Sequence, residues 1–391
     1  MGFRFNDELL LSEADRNLAI TSYPNVYFAL DHPELREEFE RIDALANKAK
    51  RRSRWVGCAA LIFATLSLLT FPLAALLKDT LPDGLISDRL LLISGILGAS
   101  FGILALVFGN LGLGFGQVKR SWLQKRLMTE RLRQWHAQHL IAHAVEIADV
   151  TDSAEDRSAW LANRALSFAR FKRNFIDQIG SEYTKFTNAS AAAYSGQSIT
   201  NPNESGEFWI DKDWAKAATD RANDEHQVAL DELYQAIDET RIRGQIQYTN
   251  YVLSSDAKFW SSPAKQLHIL GNLSYVLVVL SFVANFVALI GAIWSGLVAG
   301  NVPISWEVMS SLAIAFAILA VGVRAMLEGL RPQRETRRMQ FYAAAINYAG
   351  TRFETARTHN KRVEAACLLE RASYDEMVEF ISSNERARFV L

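Results

Sequence analysis

Three histidines stand within eight residues in "ERLRQWHAQHLIAHA": His136, His139 and His143, from only seven in a chain of 391. Imidazoles at that density bind metals, sense protons near neutrality, or pack. On a helix at 100° per residue the three share an arc of about 60°, and Leu132, Leu140 and Ile147 lie within or beside it. A rise of 1.5 Å per residue sets the first and third about 10 Å apart along the axis. One zinc, with bonds of about 2 Å, cannot reach all three. His136 with His139, or His139 with His143, can chelate only with further ligands from elsewhere, and no glutamate follows a histidine as HExxH requires. The readings, in order, are packing on a semi-polar helix contact, a protonation-sensitive contact, and a metal pair.

Other polar residues sit where polarity is expensive. Arg324, in "VGVRAMLEGLRPQ", lies near the end of an apolar run with Glu328 four residues on. That spacing allows an ion pair and the position allows snorkelling. The functional reading of the same residue is an arginine ring at a pore mouth. Asn285 lies in the middle of another apolar run, together with Asn272, Ser274 and Ser281, and needs a partner there. Gly98 with Gly102, and Gly112 with Gly116, form GxxxG spacings that let helices approach closely in lipid.

The elements that must position these groups follow from hydropathy. Residues 55–77, 90–116 and 267–306 carry no charged side chain, and 308–323 continues the last run. A hydrocarbon core of about 30 Å needs roughly 20 apolar helical residues. Four transmembrane helices are expected, the fourth reaching span length over about 304–327. The first begins too far along the chain for a signal peptide. Lys and Arg cluster at 48–54, 119–126 and 331–338, while the connections at 78–89 and 298–307 are short and slightly acidic. Loops rich in Lys and Arg stay in the cytoplasm. Two hairpins are therefore expected, with both termini and the middle segment inside.

The expected divisions are a cytoplasmic lead-in at 1–54, a first hairpin at 55–116, a cytoplasmic helical segment at 117–266, a second hairpin at 267–330 and a cytoplasmic C-terminal helix at 331–391. The lead-in has one helix, about 33–54, preceded by an extended segment "TSYPNVYFALDHP". Helical pattern covers 117–150, 154–179 and 211–259, and the Ser-, Asn- and Gly-rich stretch 187–206 reads as a linker. From Tyr342, steps of four and three reach Ile381, a heptad seam interrupted by Asn360 and Glu370. Such a seam supercoils with a partner helix, in another subunit or against the 211–259 helix. The fold class is all-α membrane protein: two transmembrane hairpins, long cytoplasmic helices and a C-terminal coiled-coil-like helix.

The chain has no Walker loop, dinucleotide fingerprint or nucleophile elbow, so neither an enzyme nor a cofactor is expected. Cys58 and Cys367 have no CxxC spacing and imply neither a disulfide framework nor a structural zinc. Basic helices beside the spans suit anionic lipid headgroups rather than nucleic acid.

One stretch, "RIRGQIQYTNYVLSSDAKFW" before the second hairpin, carries Arg241, Gln245, Ile246 and Tyr248. It resembles the lead-in of SLATT-type membrane proteins, and the likeness runs from about residue 241 to 381. The first hairpin has the family's plan without that pattern, so a doubled, four-span relative is the fitting description. The resemblance implies a bacterial inner-membrane protein of antiphage or other conflict systems, acting beside a cytoplasmic protein partner. The expectation is a homo-oligomeric effector that permeabilises the membrane on a cytoplasmic signal; the alternatives are a non-conducting scaffold for a soluble defence complex and, more weakly, a transporter or channel subunit.

Overall fold

The computed structural model describes residues 8–80, 85–111, 115–194, 210, 226–254, 258–297 and 306–385. Among them every regular element is helical and no strand is present. In order they are α1 (Glu13–Ser22), α2 (Tyr27–Leu30), α3 (Pro33–Thr80), α4 (Leu85–Leu111), α5 (Phe115–Ala142), α6 (Ala144–Asp149), α7 (Ala154–Phe171), α8 (Ile179–Tyr194), α9 (Gln227–Ile237), α10 (Arg243–Leu253), α11 (Pro263–Leu297), α12 (Trp306–Leu330), α13 (Pro332–Thr355) and α14 (His359–Glu385). Two π-helical turns, Lys172–Ile176 and Asp238–Ile242, join α7 to the chain that follows and α9 to α10.

The chain divides into two compact units. The first gathers Met1–Lys48, Arg120–Asp256 and Glu335–Glu385, the three segments read from the sequence as cytoplasmic; the second gathers Ala49–Lys119 and Ala257–Arg334, which hold the apolar runs.

Local chemistry starts the helices of the first unit. Ser12 caps α1 by accepting from the Asp15 amide at 3.0 Å, and Ser153 caps α7 by accepting from Asp156 at 3.2 Å. Acidic side chains at both first turns meet the positive end of the helix dipole. Leu35, Phe39 and Ile42 place one face of α3 in a core with Leu132, Trp135, Phe168 and Phe171. A larger core joins Tyr23, Val26 and Leu30 to Leu233, Ile237, Ile346, Phe353, Val363 and Leu369. Burying each such side chain contributes about 1.5–3 kcal/mol.

Several sequence expectations change here. The lead-in holds α1 and α2 as well as α3, because Ala19, Tyr23, Val26 and Ala29 are withdrawn from solvent into the larger core. Part of the expected linker is helix, since α8 runs to Tyr194; residues 195–209 lie outside the described residues. The heptad seam does not form one continuous helix. It breaks between Thr355 and His359, Asn360 is exposed rather than seated in the seam, and Tyr342, Ile346, Ala349, Phe353, Val363, Met377 and Ile381 are buried inside the chain's own first unit. The α13 half packs on the α9–α10 stretch, where the Tyr234 and Phe353 rings meet edge to face at 5.8 Å and a Cβ built on Gly350 would lie 3.0 Å from Ile242 Cγ2; in the α14 half Tyr374 packs edge-on against Phe186 of α8 at 5.7 Å.

Four helices are long and apolar enough to cross a membrane, within Tyr27–Lys78, Arg89–Gly109, Pro263–Ser295 and Trp306–Thr355. In the second unit α3 and α4 pack antiparallel, with the Phe63 ring stacked on Phe101 at 6.1 Å and on Phe108 at 5.4 Å. Ser67 Oγ donates to the Gly98 carbonyl at 2.8 Å. A Cβ at Gly98 would stand 2.5 Å from Thr70 Oγ1, and one at Gly102 would stand 3.3 Å from Ser67 Oγ. Both glycines face α3 at close range, as GxxxG spacing allows. Gly112 lies outside the described residues, and Gly116 is described only as part of α5. Ser281 Oγ donates to the Ala313 carbonyl at 2.9 Å, tying α11 to α12. The two helix pairs meet within the chain where Gly322 of α12 leaves room for Thr65 of α3, 2.6 Å from where its Cβ would be. Leu92, Ile103, Leu106, Phe282, Phe286 and Leu289 are exposed, the inverse of a water-soluble surface.

Candidate functional site

The histidine face ends up inside the first unit. His136 and His139 are each 4% exposed, and His32, at the start of α3, is 5% exposed. Trp135 stacks on His139 with ring centres 4.8 Å apart, while His32 packs edge-on against Trp135 at 5.6 Å and Phe168 at 4.9 Å. The helix does not continue through His143. α5 ends at Ala142 and His143 precedes α6 with φ −111°, so the third imidazole turns to bond Glu146 at 2.7 Å. Its ring still lies 4.3 Å from that of His139.

Beside the histidines lies Arg164 of α7, whose guanidinium donates to the carbonyls of Phe28, Ala29 and Asp31 at 3.2, 2.8 and 3.1 Å. It thereby satisfies the last carbonyls of α2, a helix too short to close its own hydrogen bonds. Burial lowers the Arg164 pKa to about 10, opposed by Asp31 and Glu34. Burial, followed by the charges of His32, Arg164, His139 and Arg241, holds His136 well below the ordinary histidine value. His136 is therefore a neutral packing group at physiological pH. Among the described residues no group of three or more His, Cys, Asp or Glu is placed to hold a metal ion. Burial pushes the Cys367 thiol up to about 12, which leaves it a poor nucleophile.

A second cluster, centred on Arg241, escaped the sequence reading. Arg241 sits in the π-helical turn between α9 and α10, 4% exposed. Its Nε and Nη2 donate to the two carboxylate oxygens of Glu370 at 2.8 and 3.2 Å, and its Nη1 donates to Glu8 at 2.8 Å. Arg133 approaches the same Glu8 oxygen at 3.5 Å. Gln134 donates to the Glu370 carbonyl at 3.3 Å and accepts from Arg131 at 2.9 Å. Burial opposes the Arg241 charge, but Glu370 and Glu8 more than offset it and its pKa is raised. Burial also pushes the Glu370 carboxyl above the usual carboxylate range, with Arg241 drawing it back. Four chain segments thus meet in one bidentate, fully desolvated ionic knot.

The N-terminal segment enters this knot under strain. Leu10 has φ +52°, a left-handed conformation that costs a non-glycine residue about 1 kcal/mol or more. The turn sends Leu9 into the smaller core and Leu10 into the larger one, with Glu8 on Arg241. Arg16 holds the turn by donating to the Leu10 and Leu11 carbonyls at 3.3 and 2.8 Å.

No family model, curated protein or solved structure matches the chain.

The residues behind the resemblance have defined places. Arg241 is the centre of the knot, Gln245 accepts from the Tyr342 hydroxyl at 3.0 Å, Ile246 packs at Gly350, and Tyr248 is exposed. Glu370, a polar interruption of the seam by sequence, is 0% exposed and is the main partner of Arg241. A carboxylate in an otherwise apolar stripe was the one signal that an opposite charge must be buried nearby.

The span residues do not come together. Arg324 is exposed and its Nε donates to Ser274 Oγ at 3.4 Å; among the described residues it forms no ion pair with Glu328, which is also exposed. The expected i, i+4 pair is replaced by a link across to α11. Asn285 points outward from α11 and has no hydrogen-bond partner among the described residues.

Proposed function

We propose that the protein is an oligomeric membrane effector in which the first, helical unit restrains the membrane-perturbing action of the four apolar helices until a cytoplasmic signal or protein partner engages it. The observation that carries this reading is the Arg241 knot. It ties the strained segment at Glu8 to α5, α14 and the π-helical turn, and removing one partner from such a buried contact leaves an uncompensated charge that the packing around it must rearrange to accommodate. Displacing Glu8 leaves Arg241 on Glu370 alone and withdraws Leu9 and Leu10 from two cores at once. The likeness of residues 241–260 to SLATT-type lead-ins supports placing the protein at a bacterial inner membrane within an antiphage system. Both termini are assigned to the cytoplasm from the distribution of Lys and Arg.

The test compares bacteria producing the wild-type chain with those producing Glu8→Ala, scored by a membrane-potential dye and by leakage of a small fluorophore from reconstituted liposomes. Depolarisation and leakage with the variant, against tight membranes with the wild type, are expected. A variant that is folded and inserted, yet leaves both membranes tight, overturns the effector reading in favour of a scaffold.

A further inference from the structure

Asn285 is a polar group in the wrong place for a chain acting alone. On α11 the exposed aromatics Tyr275 and Trp294 are 71% and 59% exposed. At 1.5 Å per residue they lie roughly 28 Å apart, the separation of aromatic anchors at two membrane interfaces. Asn285 falls midway between them, at the depth where an unsatisfied amide is most costly. Around it Phe282, Phe286 and Leu289 face outward, 72%, 63% and 57% exposed. Several span hydroxyls have partners within the chain. Ser281 bonds Ala313, Ser274 accepts from Arg324, and Thr65, Thr70, Ser94 and Ser295 donate to carbonyls of their own helices. The Asn285 carboxamide, with two N–H donors and a carbonyl acceptor, has no partner among the described residues.

We propose that the α11 face carrying Asn285 docks against a second copy of this chain, the two Asn285 carboxamides hydrogen-bonding to each other inside the bilayer. A carboxamide is self-complementary, donating and accepting at once, so one copy satisfies the other. A second copy also brings its Asn285 to the same depth automatically, whereas a different protein would need a polar group of its own at mid-bilayer. Lipid headgroups lie roughly 14 Å away along the helix, beyond the reach of an asparagine. Asparagines on spans are known to hold helices together this way. This contact rests on the oligomeric membrane reading and names its interface.

The test measures self-association of the full-length protein in liposomes over a series of protein-to-lipid ratios, by energy transfer between labelled copies. Asn285→Leu, which faces outward and leaves the chain's own packing untouched, is expected to weaken association roughly 3- to 20-fold. Asn285→Gln, which keeps the donors and acceptor, is expected to stay within about 2-fold. In a Cys58→Ala, Cys367→Ala background, Asn285→Cys is expected to form a disulfide-linked dimer under mild oxidation, and Val287→Cys, exposed at a similar depth but about 160° round α11, is not. Wild-type protein that is monomeric at every density overturns the oligomeric reading and this contact with it. Association that persists unchanged in Asn285→Leu, without cross-linking at 285, overturns this contact alone. A cross-linked species in cells of a mass other than the dimer assigns the face to another membrane protein and likewise overturns it.

Discussion

The two units solve opposite solvation problems with the same secondary structure. In the first, apolar side chains fill two cores and the charged groups that enter are matched, Arg241 by Glu370 and Glu8, and Arg164 by three carbonyls. In the second, apolar side chains face outward and close approach of small residues holds the helices, Gly98 to Thr70 and Gly322 to Thr65. Water drives burial in the first; lipid offers no such drive, so packing and interhelical hydrogen bonds must do the work in the second. A unit secured by desolvated charge is strongly destabilised when one partner leaves, because the other charge stays buried without compensation. That is the ground for proposing a signal-responsive role for the first unit and membrane action for the second.

The contrast is tested hardest at Glu370. Glu370→Ala leaves Arg241 bound only to Glu8 in a dry site and is expected to destabilise the first unit by about 3–5 kcal/mol, read from thermal unfolding in detergent. Replacing both Arg241 and Glu370 with leucine should recover most of that loss. A single substitution within about 0.5 kcal/mol of wild type would show that the knot is not what secures this unit.

Protonation probes the same unit more gently. His136 is held neutral in the fold, while in the unfolded chain it titrates near its ordinary value of 6.5. The unfolded state therefore binds the extra proton as pH falls, so this contribution is complete well above 6.5 and is lost below it. At pH 5.5 the loss is about 1.4 kcal/mol, and it should vanish in His136→Gln. An unchanged pH slope in that variant would assign the titration to other groups.

The smallest effect belongs to the second unit. Gly95 and Gly98 lie one turn apart on α4, but a Cβ meets nothing within 4 Å at Gly95 and meets Thr70 Oγ1 at 2.5 Å at Gly98. Both alanine variants gain the same helix propensity, so their difference reports the contact. Gly98→Ala should be less stable than Gly95→Ala by about 1 kcal/mol, measured by unfolding in mixed detergent, with Thr70→Ala removing the difference. Equal stabilities would mean that the α3–α4 approach is not set by this glycine.

Much of this organisation is readable along the chain, and the unreadable part has a common cause. The four apolar runs are legible because a bilayer demands about 20 consecutive apolar residues, a one-dimensional signal. The heptad steps from Tyr342 to Ile381 mark a buried stripe, since periodicity reports a face. They do not name what covers it, and the covering elements are α9 and α10 for its first half and α8 for much of its second, all of the same chain. α1 and α2 were missed because each is short, and tertiary burial rather than propensity holds α2. The histidine arc was visible for His136 and His139, but the break at His143 was not, since nothing local in "HLIAHAVE" announces it.

By itself, then, the sequence determined a helical membrane chain, its four apolar helices and the faces its remaining helices bury, because hydrophobic length and period are local properties. Only the tertiary structure decided that Glu8, Arg241 and Glu370, separated by 233 and 129 positions, share one buried knot. The same holds for His32 and His139, whose rings pack against Trp135, and for Asn285, which faces outward with no partner among the described residues. Those outcomes depend on which faces meet, and a meeting of faces is settled by packing and desolvation across the whole chain.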